Sequence, residues 1–172
     1  LLRGAFKVYA ERRQKIGQKW LKTGEKIPLK GVDIQVLTSA GKRIAKPLKG
    51  AGAVNPVCAS HPQAAALERD VEDDQSIGLL IASGKFRMLD LADLEAHYSH
   101  DLVCPKNLIG TVDVYNVNVH GQFKGIAPAV VGALRARVII QVNGAKKGAD
   151  GQTWPVVRGS PGPQDVWQIP YS

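Results

Sequence analysis

The chain has 172 residues, 44% of them hydrophobic and 22% charged, a composition typical of a globular protein with room for a sizeable core. Its apolar runs are far shorter than the roughly 20 residues needed to cross a bilayer, so the sequence excludes a membrane span. The formal charge of +8 is concentrated in residues 1–50, which hold 13 Lys and Arg against 3 Asp and Glu. This surplus predicts a basic face for an anionic partner such as nucleic acid, although a solvated helix and hairpin also account for it.

The sequence predicts a basic helix at the start of the chain. Apolar residues recur at helical spacing over residues 1–20, and Lys and Arg fill most other positions until Gly24 ends the pattern. The chain opens on Leu1, and its one methionine is Met88. We therefore expect a processed, trimmed or partial chain in which residues 1–24 form a basic N-terminal helix.

Hairpins come first in the rest of the predicted order, and a strand–helix–strand unit follows. Residues 46–75, broken by proline, glycine and acidic residues, predict a long loop of a kind that is usually functional or mobile. The remaining apolar patterns predict strands over 27–29 and 32–37, a hairpin over 76–91, a helix over 94–99, a strand over 112–119, a helix over 128–134, and strands over 137–142 and 166–169. This order predicts one domain, 1–172, of mixed α/β class.

Two cysteines, Cys58 and Cys104, each lie close to a proline and are therefore expected in loops. Two interpretations remain open at this point, a disulfide and a pair of buried free thiols. Pairing requires Cα atoms within about 7 Å of each other. It would also indicate maturation outside the cytoplasm, where disulfides persist.

Polar side chains follow two of the predicted strands. Asp93 comes shortly after the 76–91 hairpin, and Asn118 and His120 end the 112–119 strand. A carboxylate and an imidazole on loops at strand ends are ligands that zinc prefers. A histidine after a strand is also common as a surface or packing residue, so this pattern alone does not identify a metal site.

Several motifs in the second half of the chain occur in an order that resembles the C-terminal half of metallo-β-lactamase-fold hydrolases, in the branch related to DNA-uptake competence proteins. They are Lys85-Phe86-Arg87, Asp90-Leu91-Ala92-Asp93-Leu94, Ile109-Gly110-Thr111-Val112-Asp113-Val114-Tyr115, Val119-His120-Gly121 and Leu134-Arg135-Ala136-Arg137-Val138. The resemblance covers about residues 25–172. It implies an αββα sandwich, here partial or reduced to one half of the four layers.

The resemblance also implies a site. Asp93 occupies the place of the family's metal-bridging carboxylate, and His120 occupies that of a metal-ligating histidine. Asn118 is expected to contribute a hydrogen bond near the substrate. Zinc or another divalent metal is the implied cofactor, and the implied chemistry is hydrolysis of a small-molecule ester, lactone, amide or phosphodiester by metal-activated water.

The sequence departs from the family in its ligand set. The family's His-x-His-x-Asp-His motif is absent from these 172 residues, so the matching motifs supply two ligands where catalytic zinc normally has three. His97 and His100 are three residues apart at the predicted short helix, so they would share a face and could reach a metal near Asp93, or they could simply be exposed in a polar turn. Asp73 and Asp74 could bind a hard cation such as calcium, without the usual calcium-loop pattern.

Two functional hypotheses follow from these observations. The first is a metal-dependent hydrolase whose site in this chain is incomplete. The second is a non-catalytic remnant or binding module that keeps the fold and uses its basic N-terminal segment to hold an anionic partner. The sequence predicts neither the substrate nor the oligomeric state.

Overall fold

A computed structural model describes residues 2–63, 72–144 and 149–170. Within these ranges lie four helices and eight strands. In chain order they are α1 Leu2–Ile16, β1 Lys26–Leu29, β2 Val32–Ser39, β3 Lys42–Arg43, β4 Gly78–Ser83, β5 Phe86–Asp90, α2 Ala96–His100, β6 Val114–Asn116, α3 Pro128–Leu134, β7 Val138–Asn143, α4 Thr153–Arg158 and β8 Asp165–Pro170.

The strands form one mixed sheet in the order β1-β2-β4-β5-β6-β7-β8, with β3 paired to β2. Neighbours from β1 to β5 are antiparallel, whereas β5 to β8 run parallel. The two outer strands each contain a proline, Pro28 in β1 and Pro170 in β8. The predicted mixed α/β class is confirmed, with the antiparallel hairpins preceding the parallel strand–helix–strand part.

One face of the sheet forms the core. Leu80, Leu89, Tyr115 and Ile139 are successive cross-strand neighbours, and all four are buried. Helix α3 packs on this face because its apolar residues Ala129, Val130, Val131 and Leu134 are buried together with the strand row. Pro128 begins α3 at the position where a missing N–H costs least.

The opposite face of the sheet is apolar but largely open. Ile81, Met88, Val114 and Val138 form the next row of cross-strand neighbours, and each is only partly buried. None of the four belongs to the main core cluster. Further along this face the side chain of Trp167 is exposed. Within the described residues the sheet therefore has one covered and one uncovered apolar surface.

Helix α1 is exposed over residues 4–16, apart from half-buried Ala10. Phe6, Tyr9 and Ile16 have most of their surface in solvent, and so does Trp20 beyond the helix end. The helix ends at Ile16, short of the predicted 1–24 and four residues before the end of the 1–20 periodic pattern, and Gly17 follows it with a φ of +77°. No helix in the described part of the chain has the length and apolar character needed to span a bilayer.

Two further predicted elements needed correction, and one helix lies outside the predicted order. The 112–119 strand shrinks to β6, because the Val119 N–H donates to the Ala92 carbonyl and Val119 and His120 turn into left-handed backbone. The 94–99 helix lies at Ala96–His100 and begins after Glu95, so Asp93 is not its N-cap. Helix α4 was not predicted, although glycines flank it and its proline sits in the first turn, where proline is tolerated.

The predicted loop over 46–75 contains two short 3-10 helices, Pro56–Ala59 and Asp73–Gln75, and residues 64–71 of it lie outside the described ranges. A disulfide joins Cys58 in the first of these helices to Cys104, with Cα atoms 5.8 Å apart. Of the two interpretations that the sequence left open, the structure has the disulfide. The bridge fastens the loop to the segment that follows α2.

Candidate metal centre

Sheet topology brings three segments to one edge. Strands β5, β6 and β7 are parallel, so their carboxyl ends lie side by side, and antiparallel β4 begins at that same edge. The turn at 73–75, the β5–α2 loop and the turn after β6 therefore meet there. Asp74, Asp93, Glu95 and His120 lie on these segments, and His97 lies at the start of α2.

Asp93 and His120 come together at this edge. Asp93 Oδ1 lies 3.4 Å from His120 Nε2, and the two side chains are 45% and 56% exposed. Two ligands bonded at about 2.0–2.1 Å to one tetrahedral zinc ion are roughly 3.3 Å apart. The pair therefore has the spacing of two ligands of a shared ion, in a position that solvent and substrate can reach.

The His120 ring is oriented by the neighbouring strand. His120 Nδ1 lies 3.0 Å from the carbonyl oxygen of Val142. Because a carbonyl oxygen can only accept, Nδ1 carries the proton, and Nε2 is left to face Asp93. A backbone carbonyl on one ring nitrogen is the usual means of aiming the other nitrogen at a metal. The Asn143 side chain also donates to the His120 carbonyl and holds the turn on β7.

Asp90 fixes the loop that carries Asp93. One carboxylate oxygen of Asp90 accepts from the Ala92 N–H at 2.9 Å, and the other accepts from the Asn116 amide at 3.2 Å. Ala92 adopts a left-handed φ of +52°. The carboxylate at the end of β5 thus shapes the turn into Asp93 and ties it to β6.

Asn118 lies beneath this loop. Its side chain is fully buried, with Oδ1 accepting from the Tyr115 hydroxyl at 2.9 Å and Nδ2 donating to the Leu94 carbonyl at 3.0 Å. These contacts give Asn118 a positioning role next to Asp93. A direct contact with substrate, expected from the resemblance, stays a prediction.

A second group of ligand-type side chains is buried near the same edge. Asp74, Glu95 and His97 each offer one atom, and these atoms all lie within 4.8 Å of one another. His97 Nε2 lies 3.6 Å from Asp74 Oδ1, and His97 Nδ1 lies 3.5 Å from Glu95 Oε2. The group could hold a metal ion.

Lys124 adds a positive charge beside this group. Its ammonium lies 2.5 Å from Asp73 Oδ2 and 3.4 Å from Glu95 Oε1. The hydrogen bond to Asp73 raises the pKa of Lys124 above its ordinary value, with a smaller contribution from Glu95. Lys124 is therefore charged at neutral pH and partly compensates the carboxylates.

A pocket of about 330 Å³ opens beside Lys124 and the second group. Its wall is mostly apolar, and its polar side chains are basic except for Glu95. The lining residues are His61, Pro62, Glu95, Ala96, His97, His100, Phe123, Lys124, Ile126, Ala127, Pro128 and Ala129. The pocket thus offers an apolar cavity with the Lys124 ammonium, three imidazoles and the Glu95 carboxylate among its lining groups.

The sequence predicted Asp93 and His120 as site residues but did not predict that Asp74, Glu95 and His97 form a group. His97 was considered for a metal near Asp93, and the structure instead sets it between Asp74 and Glu95. His100 Nε2 lies 3.3 Å from the His61 carbonyl oxygen and takes no part in the group. Glu95 carried no signal beyond its nearness to Asp93. Asp74 was noted only as part of an acidic run.

Comparison of the sequence with protein-family models and with curated proteins found no match.

Proposed function

We propose that this protein belongs to the metal-dependent hydrolases of the metallo-β-lactamase type, acting on an ester, lactone, amide or phosphodiester. The observation that carries the proposal is the 3.4 Å approach of Asp93 Oδ1 to His120 Nε2 in the segments that follow the parallel neighbouring strands β5 and β6. A divalent ion bound there would supply an activated water. Asp93 and His120 would hold the ion, and Asp90 and Asn118 would position the loop that carries Asp93.

The fold assignment within this proposal is one half of an αββα sandwich. The open apolar face of the sheet supports it, because a sheet with helices on one face only leaves its other face to be buried by another layer. Stacked sheets pack about 10 Å apart through interdigitating apolar side chains. The row that includes Ile81 and Met88 has the composition of such an interface.

Asp93 and His120 form a half-site in this proposal. Catalytic zinc uses three protein ligands and one open position, so the complete centre requires one further ligand. Asp93 has the exposed carboxylate that can serve as a bridging or terminal ligand, while His120 has its Nε2 free of any backbone partner among the described residues.

Hydrolysis assays test the proposal directly. The full chain, supplied with zinc or manganese, is assayed on p-nitrophenyl acetate, a chromogenic lactone and bis-p-nitrophenyl phosphate. We expect metal-dependent hydrolysis of at least one substrate, lost in Asp93→Asn and in His120→Gln. Asp33→Asn, which alters an exposed carboxylate of β2, is the matched control and should keep full activity. Absence of hydrolysis by the wild type on every substrate would overturn the enzyme proposal.

Exposed α1 favours a second function, the binding of an anionic partner. Arg12, Arg13 and Lys15 lie on this helix with their side chains in solvent, within the most basic part of the chain. Lys and Arg on such a surface bind nucleic acid by displacing counterions, which makes the affinity fall with salt.

Fluorescence anisotropy with a short DNA duplex at two salt concentrations tests this second function. We expect Arg12→Gln with Arg13→Gln to weaken binding more than Lys46→Gln with Lys49→Gln, which removes the same charge from an exposed loop. Equal weakening by both double variants would assign the binding to net charge and remove the role of α1.

A further inference from the structure

We propose that Asp74, Glu95 and His97 form a second metal site, distinct from the Asp93–His120 pair, which binds a transition-metal ion of the zinc type. This inference does not depend on the hydrolase function. It concerns a different set of ligands, held by the 73–75 turn and by the start of α2.

The first argument is the burial of a carboxylate oxygen that has no hydrogen-bond partner among the described residues. The side chains of Asp74 and Glu95 are only 6% and 3% exposed. Asp74 Oδ1 has no hydrogen-bond partner within the described ranges. Its contact with His97 Nε2, at 3.6 Å, is longer than a hydrogen bond. A buried carboxylate oxygen without a partner is costly, and a cation among these side chains would satisfy it.

The second argument is the geometry of the group. Ligands of one tetrahedral ion at 2.0–2.2 Å lie roughly 3.3–3.6 Å apart, so a spread of up to 4.8 Å closes when the outermost ligand atoms approach each other by roughly 1.2–1.5 Å. The contact of Glu95 Oε2 with His97 Nδ1, at 3.5 Å, is also too long for a good hydrogen bond. Neither carboxylate is therefore locked onto the imidazole, and the ring can turn one nitrogen toward an ion.

The third argument is the type of ligand. Two carboxylate oxygens and one imidazole nitrogen suit zinc, manganese or cobalt, whereas calcium takes six to eight oxygen ligands. Three protein ligands leave a fourth position for water. Glu95 and His97 line the 330 Å³ pocket, so an ion and its water would have access from that side.

Lys124 does not fill this site. Its ammonium lies closest to Asp73, and it reaches Glu95 through Oε1, whereas Oε2 is the oxygen that faces His97. Lys124 can therefore keep both of these contacts while an ion sits between Glu95, His97 and Asp74. The ammonium lowers the negative charge of the group, and it leaves Asp74 Oδ1 unpartnered.

Isothermal titration of the full chain with zinc chloride tests the proposal. We expect the Asp93→Asn/His120→Gln variant to keep the wild-type affinity for one ion. Asp74→Asn/His97→Gln should weaken binding by at least about 100-fold, since loss of even an outer-shell partner costs 10–100-fold. His61→Gln removes a histidine of the same pocket that lies outside the group, and it should bind as the wild type does.

Two measurements keep the test decisive if the Asp74→Asn/His97→Gln variant folds poorly. Circular dichroism reports its fold, and histidine-ring ¹⁵N spectra of the wild type locate the ion without substitution. We expect one equivalent of zinc to shift the His97 resonances. Shifts confined to His120, or full zinc affinity in Asp74→Asn/His97→Gln, would overturn the second site. Hydrolysis is not a readout here, so failure of the hydrolase proposal leaves this test unchanged.

Discussion

The turn that presents His120 is built on unfavourable backbone. Val119, His120 and Gly121 adopt φ values of 49°, 55° and 78° in succession, and the first of these is a β-branched residue for which left-handed backbone is rare. Packing against β7 and the Asp93 loop holds this conformation. The turn therefore stores strain at the place where the proposed ligand is displayed.

Gly121→Ala should disturb this turn. A Cβ at Gly121 would lie 3.0 Å from Ala149 Cβ and 3.2 Å from the Gln141 side chain, on backbone that already disfavours alanine. We expect a loss of about 1–2 kcal/mol in the free energy of unfolding, measured by urea denaturation. Gly151→Ala, at a position with open space and no left-handed φ, is the control and should be close to neutral. Equal losses for the two variants would show that the turn is not strained.

Tyr115 offers a buried hydroxyl whose ionisation can be followed. Burial raises the pKa of Tyr115 far above its ordinary value of 10.0, and the hydroxyl donates to Asn118. The folded state binds the Tyr115 proton more tightly than the unfolded state does. The resulting contribution of Tyr115 to the free energy of unfolding is therefore complete below pH 10 and is lost as the pH rises further. Each pH unit above 10 should lower the free energy of unfolding by about 1.4 kcal/mol until the pKa of the folded state is reached.

Tyr115→Phe should remove this pH dependence. At pH 7 the variant should be less stable by about 1–3 kcal/mol, because the buried Asn118 oxygen loses its donor. Between pH 10 and 11 the difference in free energy of unfolding between wild type and variant should become smaller. Urea denaturation at several pH values measures both effects, and a gap that is constant with pH would contradict the assignment.

The two groups of proposed ligands differ in how well the sequence alone predicts that their members lie close together. Asp93 and His120 could be predicted because each follows a recognisable strand, and parallel neighbouring strands end at one edge. Asp74 and His97 are not close in sequence, and their approach depends on β4 running antiparallel to β5. No local periodicity encodes that approach, so the buried group emerged only from the folded chain.

At the scale of elements, the disulfide connects the least regular part of the chain to the core. Cys58 and Cys104 are separated by 46 residues, and the chain-entropy model assigns a loop of that size roughly 4 kcal/mol. We expect reduction of the wild type to lower the free energy of unfolding by about 3–4 kcal/mol. The Cys58→Ala/Cys104→Ala variant should be equally unstable and insensitive to reductant. A wild type that is unaffected by reductant would contradict this role.

Local patterns predicted some elements closely and others poorly. The 76–91 hairpin could be predicted because Gly84 marks its turn. The helix at 128–134 could be predicted because Pro128 marks its start. The end of β6 could not, since Val117 and Val119 continue the alternation of a strand after the chain has left the sheet. Tertiary hydrogen bonds to β7 and to the Asp93 loop, and not the side-chain pattern, end that strand.

At the scale of the whole molecule, the open face of the sheet should govern association. Trp167 and Ile169 lie on exposed positions of β8, whereas neighbouring Ile139 of β7 is fully buried on the covered face. We expect Trp167→Ser with Ile169→Thr to reduce binding of a hydrophobic dye and self-association in sedimentation experiments. Stability should change by less than about 0.5 kcal/mol for each exposed position.

Ile139→Ala is the matched control for that experiment. This change on the covered face should cost about 2–5 kcal/mol in the free energy of unfolding without lowering dye binding by the folded protein. Unchanged dye binding by the Trp167→Ser/Ile169→Thr variant would show that the open face is not the surface that binds the dye.

The prolines of the two outer strands limit the addition of further strands at the borders of the sheet. Pro28 and Pro170 cannot donate a backbone hydrogen bond, so neither border of the sheet is a good template for an added strand. Fibril growth by lateral strand addition is therefore disfavoured. We expect contacts between copies to form instead through the apolar face of the sheet that includes Ile81 and Met88, where a layer stacked face to face would bury both surfaces.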